Sequence, residues 1–312
     1  MDTNCKLIAT YENPDLDGYA CAYGYSEFLN KNNEKSKFVL FGNYQIEVEY
    51  LLQKYNIPSV SEEVNSLELG QHPVIIVDAS DLRGLSKRIN PSNVIEIIDH
   101  RKVYKKEDFP NASFQIELVG AAATLIAEKY KISNTDISFD VAVLLYYAIV
   151  SNTINFKANV TTAKDLEISN WLNQIIKQKP IVINEMFDYK TRNIIPSKEF
   201  FLGSYSAFFK FKDISIGIIQ LEITNALNFL HSNKNKLTSI LKEVKRESNL
   251  DIIFITAIDL VEGNNYFFTQ YTKSRKILTD ALLVSFSMGI ALRKGVIMRK
   301  EIVPILKGFI EM

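Results

Sequence analysis

A chain of 312 residues exceeds the usual single hydrophobic core and predicts two domains, and its 47% hydrophobic content is ordinary for a globular protein. The 36 basic and 36 acidic residues cancel, which argues against a dedicated binder of long nucleic acids. Two cysteines and three histidines exclude a disulfide framework, a cysteine zinc site and a histidine-built metal centre. No apolar run approaches the ~20 residues of a membrane span. The first residues lack the basic start and apolar stretch of a signal peptide, so a reduced cytoplasmic setting is expected.

Up to about residue 180, short β-branched runs alternate with longer helical patterns. Strands are predicted over Lys6–Thr10, Lys37–Phe41, Val74–Asp78, Val94–Asp99 and Phe114–Glu117. Helices are predicted over Gly18–Asn30, Ile46–Tyr55, Gly120–Lys131, Ser138–Ser151 and Ala163–Lys177. This alternation implies an α/β fold, with a parallel sheet covered on both faces. Asp188–Pro196 is turn-rich and reads as a linker. Beyond it, Phe201–Phe211, Ile214–Leu221, Ile252–Ile258 and Tyr266–Gln270 read as strands, and Ala226–Lys245 as one long helix. The expected organisation is a parallel-sheet domain over 1–187, a linker over 188–196 and a smaller mixed α/β domain over 197–312. From Lys273 onward eight Lys or Arg face three acids, an electropositive zone suited to a small anion.

Four polar signals sit where apolar runs end. Asn13-Pro14-Asp15-Leu16-Asp17-Gly18 follows Leu7–Thr10, Asp78 closes Val74–Val77, Asp99-His100 closes Val94–Ile98, and Ser151-Asn152-Thr153 closes Leu144–Val150. In an open parallel sheet, ligands bind outside the carboxyl ends of the strands. Carboxylates gathered there need a cation to offset their repulsion, and oxygen ligands with one imidazole suit Mn²⁺, with Mg²⁺ or Co²⁺ as alternatives. Plainer readings stand beside this one. Asp15 and Asp17 form an ordinary acidic helix start, and Asp78 or Asp99-His100 can be hydrogen-bonded strand ends. What favours a metal site is their joint occurrence in this order.

Asn-Pro-Asp-x-Asp, then Asp, Asp-His and Gly-x-x-x-Thr (Gly120 to Thr124) resembles the DHH phosphoesterase superfamily. Lys198-Glu199-Phe200, Gly217–Glu222 and Met298–Pro304 are similar to the C-terminal domain of family II inorganic pyrophosphatases. The resemblance implies metal-dependent hydrolysis of a phosphoanhydride, pyrophosphate first, in a cleft between the domains. It implies Asp15 on one metal, Asp17 and His100 on the other, Asp78 bridging both, and Asp99 orienting His100. Asn152 falls in the helix-end ligand position. Lys198 with Arg299 or Lys300 would grip phosphate, and solvated surface charge is the plainer reading of these three. The partner is a small phosphate compound, with no membrane and no long nucleic acid, and a homodimer is compatible.

Three residues depart from the family pattern. Tyr11 stands in place of a histidine, Arg101 in place of the second histidine of Asp-His-His, and Asn152 in place of an acid. One carboxylate lost and one guanidinium gained leave the pocket about two charge units less negative. One outcome is a hydrolase with a single firmly held metal at Asp17, Asp78 and His100, Arg101 replacing part of the missing charge as a catalytic and phosphate-binding group. Another is a pseudoenzyme that binds a phosphate compound. A third is a phosphodiesterase for short oligonucleotides or cyclic dinucleotides, which calls for stacking aromatics such as Tyr104, Tyr205 or Tyr271.

Overall fold

The computed structural model describes residues 5–60, 69–70, 72–101, 104–177 and 180–311. Contacts divide the chain into two compact units, Met1–Phe156 with Val160–Met186, and Lys157–Asn159 with Phe187–Met312.

In the first unit β1 (Lys6–Ala9), β2 (Ser36–Phe38), β3 (Val74–Val77), β4 (Val94–Asp99) and β5 (Ser113–Ile116) form one sheet in the order β2-β1-β3-β4-β5. Every pairing is parallel. The chain starts in mid-sheet and builds outward on one side, then the other, so the order reverses between β1 and β3, where such sheets bind ligands. All four residues of β3 are buried, as expected of a strand covered on both faces.

Among the described residues, the helices that accompany this sheet are α1 (Leu16–Lys31), α2 (Ile46–Tyr55), α3 (Ala122–Ser133), α4 (Phe139–Asn152) and α5 (Ala163–Ile176). Val141 to Val150 of α4 are all buried, so this helix is apolar all round. It lies close against α1 because Gly24 has no side chain; a Cβ there would come 3.2 Å from Val141 Cγ1. Ser138 starts α4 by accepting the Val141 N–H at 3.2 Å, and its far end carries Asn152 to the sheet edge. A further helix, α6 (Pro180–Arg192), passes from the first unit into the second. The turn-rich stretch from Asp188 is therefore helical as far as Arg192.

The second unit begins with α7 (Lys198–Ser204) and β6 (Ser206–Phe211), then β7 (Ile214–Ile223), α8 (Ala226–Ser232), α9 (Lys234–Glu247), β8 (Ile252–Asp259) and β9 (Asn264–Phe268). It closes with α10 (Thr272–Leu282), β10 (Phe286–Ser287), β11 (Ile290–Lys294) and α11 (Arg299–Glu311). The sheet order is β10-β11-β9-β8-β7-β6, parallel between β7 and β8 and antiparallel elsewhere. Two expectations are corrected here. Phe201–Phe211 is a helix followed by a strand, because Ser197 caps Phe200 N–H at 3.2 Å and starts α7. Ala226–Lys245 is two helices, broken at Asn233, whose side chain donates to Phe229 O at 2.9 Å. Among the described residues no helix is long and apolar enough to cross a membrane.

Candidate metal centre

The loop after β1 is pinned before it reaches α1. Asn13 takes a left-handed backbone (φ 56°), donates its N–H to Phe41 O at 2.9 Å and accepts Asn43 N–H on Oδ1 at 3.0 Å. Gly42 makes room, since a Cβ there would meet Asn13 Oδ1 at 2.5 Å. Asp15 then caps α1, its Oδ1 accepting the N–H groups of Asp17 at 2.9 Å and Gly18 at 3.1 Å. The plainer reading of Asp15 thus describes it correctly.

Asp17 is placed differently. It is buried, and its carboxylate accepts Ala122 N–H and Ala123 N–H, each at 2.8 Å, at the start of α3. The positive end of a helix supports such a charge. Asp78 follows β3 in a left-handed conformation (φ 55°), fixed by its N–H to Ile98 O at 2.8 Å. A non-glycine residue held there costs on the order of 1 kcal/mol and marks sites where geometry is imposed by the surroundings. His100 follows β4. Its Nδ1 lies 2.9 Å from Val119 O, an atom that only accepts, so the proton sits on Nδ1 and Nε2 is left to bind. Nε2 is 3.5 Å from Asp78 Oδ1 and 3.8 Å from Asp17 Oδ2. The Val119 carbonyl, not Asp99, orients the ring. Asp99 takes the His100 backbone N–H at 2.7 Å, and Ser80 donates to its other oxygen.

Asp17, Asp78 and His100 each offer one ligand atom, and these atoms all lie within 4.8 Å of one another. Burial and then the charge of Asp78 push the Asp17 carboxyl well above its ordinary range. Burial works against charge on His100, but the hydrogen bond and charge of Asp78, with Asp17, lift the imidazole to about 9. The pocket thus calls for positive charge, and with no ion a proton supplies it. Two carboxylates and an imidazole with its second nitrogen already tied fit a divalent cation of the Mn²⁺ type.

Residues 6–149 match the model of the DHH family, N-terminal domain. The first unit is a DHH domain. The whole chain is 26% identical over 317 residues to the manganese-dependent inorganic pyrophosphatase of Bacillus subtilis, covering 96% of this chain and 97% of that protein. A Methanococcus jannaschii structure assigned to family II of the inorganic pyrophosphatases superposes with a TM-score of 0.74 at 24% identity, over 97% of this chain and 98% of that one. An exopolyphosphatase-related protein from Bacteroides fragilis reaches 0.51 at 12% identity, over 99% and 92%. At these identities the two structures establish a shared two-domain fold.

Within the DHH domain the other expected residues stand apart from the trio. Asn152 donates Nδ2 to Asp17 Oδ2 at 2.8 Å and to Gly120 O at 3.1 Å. Both partners are acceptors, so the amide nitrogen, not the oxygen, faces them. Asp15 is outside the trio. Burial and the charge of Asp78 push its carboxyl up. Arg101 donates Nη2 to Asp78 O at 2.8 Å, holds Nε 3.7 Å from Asp99, and lies over the Tyr11 ring at 5.7 Å. Gly-x-x-x-Thr anchors the site from behind: Asp165 accepts Gly120 N–H at 2.8 Å and Thr124 Oγ1–H at 2.6 Å. Asp165 and Val119 were missed in the sequence. The first announces itself only as the fourth residue of a Thr-x-x-Asp capping box, and the second acts through its backbone, which no side-chain pattern reveals.

In the second unit, Lys198 is paired with Glu247 at 3.1 Å and Glu243 at 3.8 Å. Arg299 donates Nη1 to Tyr205 O at 2.9 Å, and Lys300 is exposed. The three stacking candidates pack on neighbours of their own units: Tyr104 on Phe114, Tyr205 on Phe200, and Tyr271 beneath Lys245.

Proposed function

We propose that this protein is a metal-dependent phosphohydrolase acting on a phosphoanhydride, pyrophosphate first, with the cation held by Asp17, Asp78 and His100. The observation that carries the proposal is the convergence of these three ligand atoms at the order reversal of the parallel sheet. The similarity to manganese-dependent pyrophosphatases over nearly the whole length supports it. Bound there, a divalent cation supplies Lewis acidity, polarising a phosphoryl oxygen and acidifying water.

The chain's own residues supply the rest. Val119 O keeps His100 in the tautomer that leaves Nε2 free. The start of α3 and the Asn152 amide keep Asp17 fixed without competing for its charge. Arg101 spends one of its N–H donors on the Asp78 carbonyl and remains 39% exposed, so donors are left for phosphoryl oxygens whose charge grows in the transition state. Lys198, Arg299 and Lys300 enter the proposal as further phosphate-binding cations.

The test is a hydrolysis screen with pyrophosphate, tripolyphosphate and a dinucleotide, each with Mn²⁺, Co²⁺ or Mg²⁺. Pyrophosphate turnover with Mn²⁺ is expected, and Asp78→Ala is expected to abolish it. Unchanged turnover in that variant removes the site. Pyrophosphate binding by calorimetry with no turnover under any metal would replace the hydrolase with a phosphate-binding protein.

A further inference from the structure

The resemblance implies two metal seats, one at Asp15 with Asp78 bridging to the other, and a histidine of the family pattern is replaced by Tyr11. In this chain the groups around that seat are already committed. Asp15 Oδ1 holds two N–H groups of α1, and the Asp15 N–H in turn lies 3.4 Å from the Tyr11 hydroxyl. Tyr11 offers a phenol, which ligates only as phenolate. Against the same ring lies the Arg101 guanidinium, 5.7 Å from the centroid, bonded to the backbone of Asp78 and 3.7 Å from Asp99. A fixed positive charge repels an incoming cation, and Asp15 Oδ1 already holds two N–H groups.

Resting on the proposal that the trio of Asp17, Asp78 and His100 binds a divalent ion, we infer that Arg101, stacked on Tyr11, is a resident cation standing in for the second metal. The protein therefore takes up one divalent ion per chain. A guanidinium at this place has consequences a metal would not. Its charge is permanent and does not depend on ion concentration, and its planar fork matches the oxygens of a phosphoryl group. The residual attraction for a second ion falls on the carboxylates of Asp15 and Asp78.

The experiment is manganese counting. The full-length protein is equilibrated with Mn²⁺, passed through gel filtration in the same buffer and analysed for bound metal, with electron paramagnetic resonance on the same samples. We predict about one manganese per chain and the spectrum of an isolated Mn²⁺, rising in Tyr11→His/Arg101→His to about two ions with the broadened signal of a coupled pair. Two ions in the unsubstituted protein would overturn the inference while leaving the trio standing. No bound manganese would overturn both. Should the double variant fail to fold, Arg101→Gln serves with the unsubstituted chain: a coupled-pair signal already present without substitution, or a second ion no easier to bind in Arg101→Gln, refutes the resident cation.

Discussion

Asn152 shows how one atom changes what a pocket holds. Its Nδ2 donates at 2.8 Å to Asp17 Oδ2, where an acid would present another oxygen. We predict that Asn152→Asp lowers metal-free stability by about 2 kcal/mol, because a second, half-buried carboxylate then faces the buried Asp17 where an N–H donor stood. The same variant should show a larger stabilisation by Mn²⁺ than the parent, since the ion relieves that repulsion. Melting curves with and without Mn²⁺ check both signs. Asp78 illustrates the opposite trade. Its left-handed backbone (φ 55°) and its repulsion of Asp15 and Asp17 are unfavourable in the metal-free fold, whereas its charge favours protonated His100 and Arg101. Asp78→Gly should relieve backbone strain of about 1 kcal/mol, so that metal-free stability is at least kept, while eliminating the response to Mn²⁺. A less stable glycine variant would show that the aspartate is there for the fold.

At the scale of elements, Asp165 ties two helices to the site. It caps α5 through Thr162 and accepts from Gly120 and Thr124, which set the turn into α3 and hence the N–H groups beneath Asp17. Asp165→Ala leaves several buried donors without partners and should cost about 3 kcal/mol in urea unfolding, with weakened Mn²⁺ binding. A loss under 1 kcal/mol would mean the junction is held by other contacts. The same elements show what a sequence discloses. β3 was legible because a fully buried strand is an unbroken β-branched run, and β4 because only Glu96 interrupts its apolar run; Asp78 and His100 stand just after these runs, and Asp17 follows the loop after β1. Phe201 read as the start of a strand, but a local serine cap made it helix. The helix α10 went unread because its Lys and Arg residues leave few apolar positions to show a period. The orientation of Asn152 depends on acceptors from residues 17 and 120, which only the folded chain brings together.

At the scale of the whole molecule, the chain divides into two compact units. In the second, burial pushes the Glu222 carboxyl up, but the charge and hydrogen bond of Lys190, with Gln220 and Arg299, hold it below its ordinary range. A lowered folded-state pKa means stability that is present above the unfolded carboxyl value of ~4.3 and lost as pH falls through the folded value. We predict that Lys190→Met costs about 2 kcal/mol at neutral pH and flattens the acid side of the second unit's stability profile. Equal profiles in urea melts from pH 3 to 7 would refute this.

In the DHH domain, the ligand atoms of Asp17, Asp78 and His100 lie within 4.8 Å of one another, as a shared cation would require. Anomalous diffraction at the manganese edge, from crystals grown with Mn²⁺, tests for that cation directly. The account predicts one strong peak shared by Asp17, Asp78 and His100 Nε2. An empty trio, or a peak held by other residues, would contradict it.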